Sequence, residues 1–281
     1  MQLFSIDTGY FKLDGGAMFG VVPKSIWQKT NPADENNLCT WAMRCLLIQD
    51  ANKLILIDTG FGTKMEPKLA SYYYLHGENT LLGSIQKLGF SATDITDVFH
   101  THLHFDHCGG SVQYNTDHTR LELTFPNARY WTNAEHYEWA TKPNAREKAS
   151  FLKENILPMA ESSQLHFTPL GAASPFTQFE IIYVNGHTDK MMLPVIRYKN
   201  KTIVYMADLL PSVGHLPIPY VMGYDTRPLL TLEEKAAFLQ EAADKNYILF
   251  LEHDSVHECC TVKHTDRGVR LDQSFLLADV L

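Results

Sequence analysis

Short apolar runs separated by polar, turn-forming segments make up the first half of the chain. Residues 43–48 and 53–57 are apolar-rich runs typical of strands, and the polar residues between them predict a hairpin turn. Residues 79–88 have apolar positions at helical spacing, and Gly89 follows them as a helix stop. Residues 97–101 are expected to form a buried strand. Strands and helices therefore alternate along this half.

The second half of the chain continues the alternation. Residues 132–140 and 144–156 predict two helices, one on each side of a proline. Thr231 and Glu234 have the spacing of a capping box, which predicts a helix from there to about residue 245. Apolar runs predict further strands at residues 179–184, 193–198, 201–206 and 247–251.

Length and composition indicate a globular protein with a substantial core. The chain has 281 residues, of which 45% are hydrophobic and 20% are charged. No flexible linker, low-complexity tract or short repeat divides it. One integrated domain over residues 1–281 is therefore predicted, with a helical cap insertion around residues 131–165.

Several classes of protein are disfavoured by the same composition. No apolar run is long enough to span a membrane and the N-terminus lacks the pattern of a signal peptide, so a cytoplasmic location is expected. The five cysteines include no CxxC pair, which predicts buried thiols and neither disulfides nor a thiolate zinc site. A net charge of -8, spread along the chain, would repel a phosphate backbone. The expected partner is a small-molecule substrate, and a homodimer is left open.

A dense group of potential metal ligands follows the predicted strand at residues 97–101. The stretch of residues 101–110 reads THLHFDHCGG and contains four candidate ligands: His102, His104, Asp106 and His107. If the strand continues into the motif, His102 and His104 face the same side and can bind one ion together. Gly109 and Gly110 would let the backbone pass close to the site without a side-chain clash. This spacing predicts a metalloenzyme.

Polar residues also stand where three later segments end. His187 lies in an Asn-Gly-His-Thr turn, Asp208 follows the strand over residues 201–206, and His253 follows the strand over residues 247–251. Zinc and similar ions take histidine nitrogen and carboxylate oxygen, and a catalytic site keeps one position open for water. Together with the motif, these residues make seven candidate ligands, which is a set suited to two ions.

The order and context of these seven residues resemble the metallo-β-lactamase superfamily. The resemblance covers residues 58–253, and it includes the Asp58-Thr59-Gly60 turn, whose aspartate supports the site in that family without binding metal. It implies an α/β (α+β) fold, a four-layer αββα sandwich with a dinuclear site at one edge of the sheets. It also implies two ligand sets and one bridging carboxylate: His102, His104 and His187; Asp106, His107 and His253; and Asp208.

Such a site would carry out hydrolysis. Two divalent cations hold more positive charge than Asp106, Asp208 and a hydroxide remove, so a developing oxyanion would be stabilised. Metal-bound water with its pKa lowered to about 7 supplies a nucleophile at neutral pH. Zinc is the expected metal, and a site of histidine and aspartate also accepts iron, manganese or cobalt.

Within the superfamily, two segments resemble the branch of N-acyl-homoserine lactonases and methyl-parathion-hydrolase-like enzymes. These segments are residues 104–110 and 214–225, and the branch acts on lactones, esters and phosphotriesters. The resemblance implies an apolar substrate pocket suited to a neutral substrate. The residues predicted to line it are Met18, Phe19, Trp27, Phe105 and Tyr220.

This chain departs from the lactonases at two places. Pro211 stands three residues after Asp208, where the lactonases have a tyrosine that assists the substrate carbonyl. Tyr220, Tyr224 or His215 could take over that role, so the predicted catalytic residues are Asp106, Asp208, His215 and Tyr224. The Pro-Gly that follows the G-H-T turn in the family is replaced here by Asp189-Lys190, which concerns the shape of the loop.

Three other functions fit parts of the pattern. A glyoxalase II-like thioesterase shares the metal ligands, but the C-terminal region offers no clear basic cluster for a glutathione tail. A non-hydrolytic iron redox protein of the flavodiiron type generally has a carboxylate where His104 stands and carries a flavin domain. A metal-stabilised binding protein would not need a complete ligand set with room for water. Cleavage of a lactone or carboxylic ester, with a phosphotriester as a variant, is therefore the function predicted first.

Overall fold

The computed structural model describes residues 1–280, which form two compact units. Unit 1 comprises Met1–Gly9 and Met43–Gln178, and unit 2 comprises Tyr10–Ala42 and Phe179–Leu281. The strands are β1 (Gln2–Asp14), β2 (Leu38–Asp50), β3 (Lys53–Ile57), β4 (Asp97–Phe99), β5 (Val112–Tyr114), β6 (Leu121–Leu123), β7 (Arg129–Asn133), β8 (Leu165–Thr168), β9 (Phe179–Val184), β10 (Met191–Tyr198), β11 (Lys201–Tyr205), β12 (Ile248–Phe250), β13 (Cys259–Thr265) and β14 (Gly268–Phe275).

The helices are mostly short, and one long helix lies in the second half. They are α1 (Gly15–Phe19), α2 (Lys24–Trp27), α3 (Pro67–Ala70), α4 (Leu81–Lys87), α5 (Phe105–Cys108), α6 (Ala134–Thr141), α7 (Lys153–Glu161) and α8 (Pro228–Asp244). Four 3-10 helices cover Gly109–Ser111, Ala207–Leu209, Val213–His215 and Leu277–Asp279.

One six-stranded sheet has the order β1-β2-β3-β4-β7-β8. Strands β2 and β3 form the predicted antiparallel hairpin, whereas β3, β4, β7 and β8 pair in parallel. Parallel strands are covered on both faces, which explains why β3 is continuously apolar from residue 54 to residue 57. Leu54, Leu56 and Val98 lie in the buried core of unit 1, together with Ile85 from α4. The predicted helix over residues 79–88 is confirmed as α4, although it begins two residues later.

The second six-stranded sheet has the order β14-β13-β12-β11-β10-β9 and belongs to unit 2. Its strands pair in antiparallel fashion except for β11 and β12, which are parallel. The strands predicted at residues 179–184, 193–198, 201–206 and 247–251 are confirmed within two residues. All residues of β12 and all but one of β10 are buried.

The capping box predicted at Thr231 and Glu234 is wrong. Helix α8 begins at Pro228, whose fixed φ and missing N–H suit the first helical position. Thr231 is already inside the helix, because its N–H donates to Arg227 O at 3.0 Å. The Glu234 carboxylate does not fold back on the helix, because it accepts hydrogen bonds from backbone N–H groups after β9.

The helix predicted at residues 144–156 is replaced by a turn followed by α7. The side-chain oxygen of Asn144 accepts hydrogen bonds from Arg146 N and Glu147 N, at 2.9 and 3.1 Å. Asparagine competes in this way with helical bonding, so the helix begins only at Lys153. Residues 131–165 therefore contain α6, a turn and α7, and their action as a cap stays a prediction.

Two further expectations from composition bear on the fold. Among residues 1–280, no helix combines the length and the apolar character needed to cross a membrane. All five cysteines are buried thiols without disulfides, as predicted.

Candidate metal centre

The histidine motif begins where three neighbouring parallel strands end. Strand β4 stops at Phe99, three residues before His102, so strand alternation does not place His102 and His104 as predicted. The loop after β4 does so instead, and it brings His102 Nε2 within 3.1 Å of His104 Nδ1. His136, beyond the end of β7, holds this loop by accepting a hydrogen bond from Leu103 N at 2.9 Å. Two imidazole nitrogens this close together can bind the same cation.

Asp58 supports the motif from the end of β3. This fully buried carboxylate accepts hydrogen bonds from Thr101 N at 2.8 Å and Thr101 Oγ1 at 2.7 Å. It also lies 3.0 Å from His107 Nδ1. Because a carboxylate only accepts hydrogen bonds, Nδ1 of His107 carries a proton, which leaves Nε2 as the ring nitrogen that can bind a metal ion. His107 Nε2 is 3.9 Å from Asp106 Oδ2, so these two candidate ligands are neighbours.

Gly109 and Gly110 let the chain pass closely behind the motif, as predicted. A Cβ on Gly109 would overlap the carbonyl oxygen of Phe61, and a Cβ on Gly110 would overlap that of Thr59. Thr59 N in turn donates to His107 O at 2.7 Å. The Asp58-Thr59-Gly60 turn and the Gly-Gly segment therefore pack against each other and hold the last histidine of the motif.

In unit 2, the turn between β9 and β10 carries His187. The Glu234 carboxylate accepts hydrogen bonds from Asn185 N at 2.7 Å and Gly186 N at 2.9 Å. Gly186 packs so tightly against Thr231 that a Cβ there would overlap it. Helix α8 therefore fixes the backbone of this turn, and with it the position of the His187 ring.

The carboxylate of Asp208 lies between two imidazoles. Its Oδ2 is 3.0 Å from His187 Nε2, and its Oδ1 is 3.1 Å from His253 Nε2. The outer nitrogens of both rings are also held, because His187 Nδ1 lies 2.9 Å from Asp225 Oδ1 and His253 Nδ1 lies 2.8 Å from Ala42 O. Each carboxylate oxygen of Asp208 therefore faces a nitrogen of a different histidine.

Local charge favours a cation at His187. Burial on its own lowers the pKa of this histidine, but the carboxylates of Asp208 and Asp225 raise the pKa to about 10. The ring is therefore placed to hold positive charge between two acceptors. A metal ligand must be a neutral imidazole, so an ion bound here would take the place of the proton on Nε2.

Three of the five residues predicted to line a pocket, Met18, Phe19 and Trp27, lie in the buried part of unit 2. Phe19 stacks on Trp27 with ring centroids 5.4 Å apart and on His215 with centroids 4.3 Å apart. Met18, Phe19 and Trp27 are almost fully buried. Their contact with substrate stays a prediction, and their observed contacts are those of core residues.

His215 has both ring nitrogens engaged by the protein. Nδ1 lies 2.8 Å from Ser212 Oγ, and Nε2 lies 2.9 Å from Met18 O. Burial lowers its pKa to about 3, so the ring is neutral at physiological pH. These contacts favour a role in holding the loop over residues 212–216, while the predicted catalytic role stays a prediction.

The remaining predicted substrate and catalytic residues lie in different surroundings. Tyr224 is 39% exposed, and Tyr220 is half-buried, with its backbone oxygen accepting a hydrogen bond from Lys235 Nζ at 2.7 Å. Phe105, in unit 1, packs edge-on against Phe61 with ring centroids 4.9 Å apart. The roles assigned to these three predicted residues stay predictions.

Two buried carboxyl groups beside the candidate ligands were not predicted from the sequence. Asp225 faces His187 Nδ1, and Glu147 Oε1 lies 3.4 Å from His104 Nε2. Neither residue stands at the end of a predicted strand. For Asp225, the sequence did offer one local sign of a special role, because this charged residue stands in the mostly apolar segment that follows Asp208. No comparable sign marks Glu147.

Comparison with known proteins identifies the family. The family model described as the metallo-beta-lactamase superfamily matches residues 44–253, a span that contains all seven candidate ligands. The chain belongs to the metallo-beta-lactamase superfamily. It has the α+β fold of that family, as predicted, and it is a metal-dependent hydrolase. Its buried histidine and aspartate clusters fit divalent metal ions.

The individual relatives agree with this assignment. A probable metallo-hydrolase of Mycobacterium tuberculosis is 28% identical in an alignment 274 positions long, which covers 85% of this chain and 84% of that protein. A probable metal-dependent hydrolase of Staphylococcus aureus matches 98% of this chain and 96% of its own, at 26% identity and a TM-score of 0.87. A dizinc quorum-quenching lactonase, AidC, in complex with a product, N-hexanoyl-L-homoserine, is 26% identical, with 98% and 95% of the chains covered and a TM-score of 0.76.

Proposed function

We propose that this protein is a dinuclear metal hydrolase that cleaves a lactone or a carboxylic ester. The observation that carries the proposal is the Asp208 carboxylate, whose two oxygens face His187 Nε2 and His253 Nε2 at 3.0 and 3.1 Å. A carboxylate serving a single ion would not need a histidine nitrogen at each oxygen. The proposed ligands are those expected from the sequence: His102, His104 and His187 for one ion; Asp106, His107 and His253 for the other; and Asp208 for both.

The residues around these ligands prepare them for metal. Asp58 and Asp225 each hold the outer nitrogen of a histidine, which directs the inner nitrogen towards the proposed ion. When bound, two divalent ions would supply a hydroxide at neutral pH and polarise the substrate carbonyl. Asp106 and Asp208 neutralise only part of the ionic charge, so the site would stay positive and stabilise an oxyanion.

A neutral lactone or ester is the proposed substrate class. The similarity to a quorum-quenching lactonase in complex with N-hexanoyl-L-homoserine supports it. Pro211 has no hydroxyl group, so this position cannot assist the substrate carbonyl as the tyrosine of the lactonases does. Asp106 and Asp208 are the proposed catalytic residues. Zinc as the metal, a cytoplasmic location and a homodimer stay predictions.

A panel of substrates tests this proposal on metal-loaded protein. The panel contains N-hexanoyl-homoserine lactone, an aryl ester, a phosphotriester, S-lactoylglutathione and a cephalosporin. We expect turnover of the lactone or the ester, and we expect His104→Ala and Asp208→Ala to abolish it while the circular dichroism spectrum is retained. The exposed His264 provides a control, because His264→Ala should keep wild-type turnover. Activity on the thioester alone, or full activity of either ligand variant at normal metal loading, would refute the proposal.

A further inference from the structure

We propose that Glu147 is a positioning residue that orients the metal ligand His104. This inference rests on the proposed function, because it assigns a partner to one of the proposed ligands. The Glu147 side chain is almost completely buried, and its Oε1 lies 3.4 Å from His104 Nε2. This separation is about 0.5 Å longer than an ideal N–H···O hydrogen bond, and it makes the two atoms close neighbours.

The geometry of His104 shows which of its nitrogens is available for metal. Nδ1 faces His102 Nε2 at 3.1 Å, whereas Nε2 is on the opposite side of the ring and faces Glu147. An imidazole that binds metal through Nδ1 must carry its proton on Nε2. A carboxylate at Nε2 accepts that proton in a hydrogen bond and so selects the tautomer that leaves Nδ1 free for the ion.

The opposite oxygen of Glu147 is firmly held. Oε2 accepts hydrogen bonds from Trp139 Nε1 at 2.7 Å and from Asn144 Nδ2 at 2.8 Å. Asn144 belongs to the turn that replaces the predicted helix, so this turn places a carboxylate beside His104. Ser150 O accepts a hydrogen bond from Phe105 N at 2.9 Å, which ties the same segment to the residue after His104.

The same arrangement occurs at two other proposed ligands. The outer nitrogen of His107 faces Asp58 at 3.0 Å, and the outer nitrogen of His187 faces Asp225 at 2.9 Å. Glu147 would therefore be the third carboxylate that holds a ligand histidine from behind. Burying a carboxyl group costs free energy unless its oxygens find donors, and His104 Nε2 is a potential donor 3.4 Å from Oε1.

Glutamine at position 147 cannot satisfy both sides of the residue. Trp139 and Asn144 both donate to Oε2, so the amide oxygen of glutamine must stay there. Its NH2 group then faces His104 Nε2, where a donor opposes the tautomer that metal binding needs. Leucine lacks this conflict, but it leaves the donors of Trp139 and Asn144 without an acceptor. We therefore expect Glu147→Leu to destabilise the fold more and Glu147→Gln to weaken metal binding more.

The test titrates apoprotein with Co²⁺ in competition with a chromophoric chelator and follows the Co²⁺ absorption spectrum. The variants are Glu147→Gln, Glu147→Leu and the control Glu138→Gln, at an exposed glutamate on α6. We expect wild type and the control to bind two ions. In Glu147→Gln the affinity for one of them should fall about 10- to 100-fold with a changed spectrum, and the other affinity should be kept.

Urea unfolding of the same apoproteins separates positioning from stability. We expect the two variants to rank in opposite order for stability and for metal affinity. Glu147→Leu should be the less stable variant, and Glu147→Gln should bind metal more weakly. Wild-type affinities in Glu147→Gln, or affinities that merely follow stability, would overturn the role of Glu147. If Glu147→Leu does not fold, the metal affinities of Glu147→Gln alone test the proposal. A weaker affinity for one ion supports it, and wild-type affinities overturn it. A wild type that binds no divalent ion would instead refute the proposed function.

Discussion

Replacing Asp58 by asparagine should destabilise the fold, even though it exchanges only one carboxylate oxygen for an NH2 group. Asp58 accepts hydrogen bonds from Thr101 N and Thr101 Oγ1, and it faces His107 Nδ1. Asparagine has one accepting oxygen and one donating NH2 group. In either orientation, the NH2 group opposes the backbone N–H of Thr101 or the N–H of His107. The positive φ of 57° at Asp58 is not the cause, because asparagine tolerates that conformation well.

The expected cost follows from these contacts. A buried donor left without an acceptor costs about 1–3 kcal/mol. The remaining bonds lose the charge on their acceptor, which removes about 1 kcal/mol more. Because Asp58 is fully buried, water cannot replace the lost acceptor. We therefore expect Asp58→Asn to lower the free energy of unfolding by about 2–4 kcal/mol.

Urea denaturation followed by tryptophan fluorescence measures this effect. A chelator is present throughout, so that bound metal does not add to the stability of the folded state. Asp244→Asn is the matched control, because Asp244 is exposed and should change the free energy of unfolding by less than about 0.5 kcal/mol. If Asp58→Asn unfolds within about 0.5 kcal/mol of wild type, our account of the Asp58 network is wrong.

Three further predictions concern other parts of the molecule. The buried Lys235 donates hydrogen bonds to the backbone oxygens of His215, Pro217 and Tyr220. Lys235→Met should therefore lower the free energy of unfolding, measured by urea titration, by about 3 kcal/mol. An unchanged free energy of unfolding would contradict this prediction. Gly110→Ala should lower the melting temperature measured by circular dichroism, because its Cβ would overlap Thr59 O, and an unchanged melting temperature would show that the backbone can move. Removal of metal with dipicolinate should abolish hydrolysis and Zn²⁺ or Co²⁺ should restore it, whereas turnover by protein shown to be metal-free would exclude a metal mechanism.

Local patterns predicted much of the secondary structure. The hairpin of β2 and β3, helix α4 and strands β9, β10 and β11 lie close to where periodicity and turn residues place them. Two helix boundaries were wrong, because the side chains concerned bond elsewhere. Glu234 accepts from the turn that carries His187, and Asn144 bonds the turn that holds Glu147. The partners of Glu234 lie 49 and 48 residues away along the chain, which no local window contains, whereas those of Asn144 lie two and three residues ahead and compete locally with helical bonding.

The candidate ligands were visible in the sequence for a simple reason. A metal ligand is defined by its own side-chain chemistry, and the motif over residues 101–107 concentrates histidine and aspartate at a spacing that one short loop can bring together. The order of His187, Asp208 and His253 after segments with strand character added the rest. The sequence by itself therefore determined the family, the metal-dependent chemistry and the proposed ligand set.

Only the tertiary structure decided what holds these ligands. Asp58 and His107 are separated by 49 residues along the chain, and Asp225 and His187 by 38. Glu147 likewise reaches His104 only through the turn before α7. Asp58 and Asp225 face the outer ring nitrogens of His107 and His187, and we propose the same role for Glu147 at His104. A buried carboxylate carries no signature in sequence, because its role is set by the donor that folding brings within about 3 Å of it.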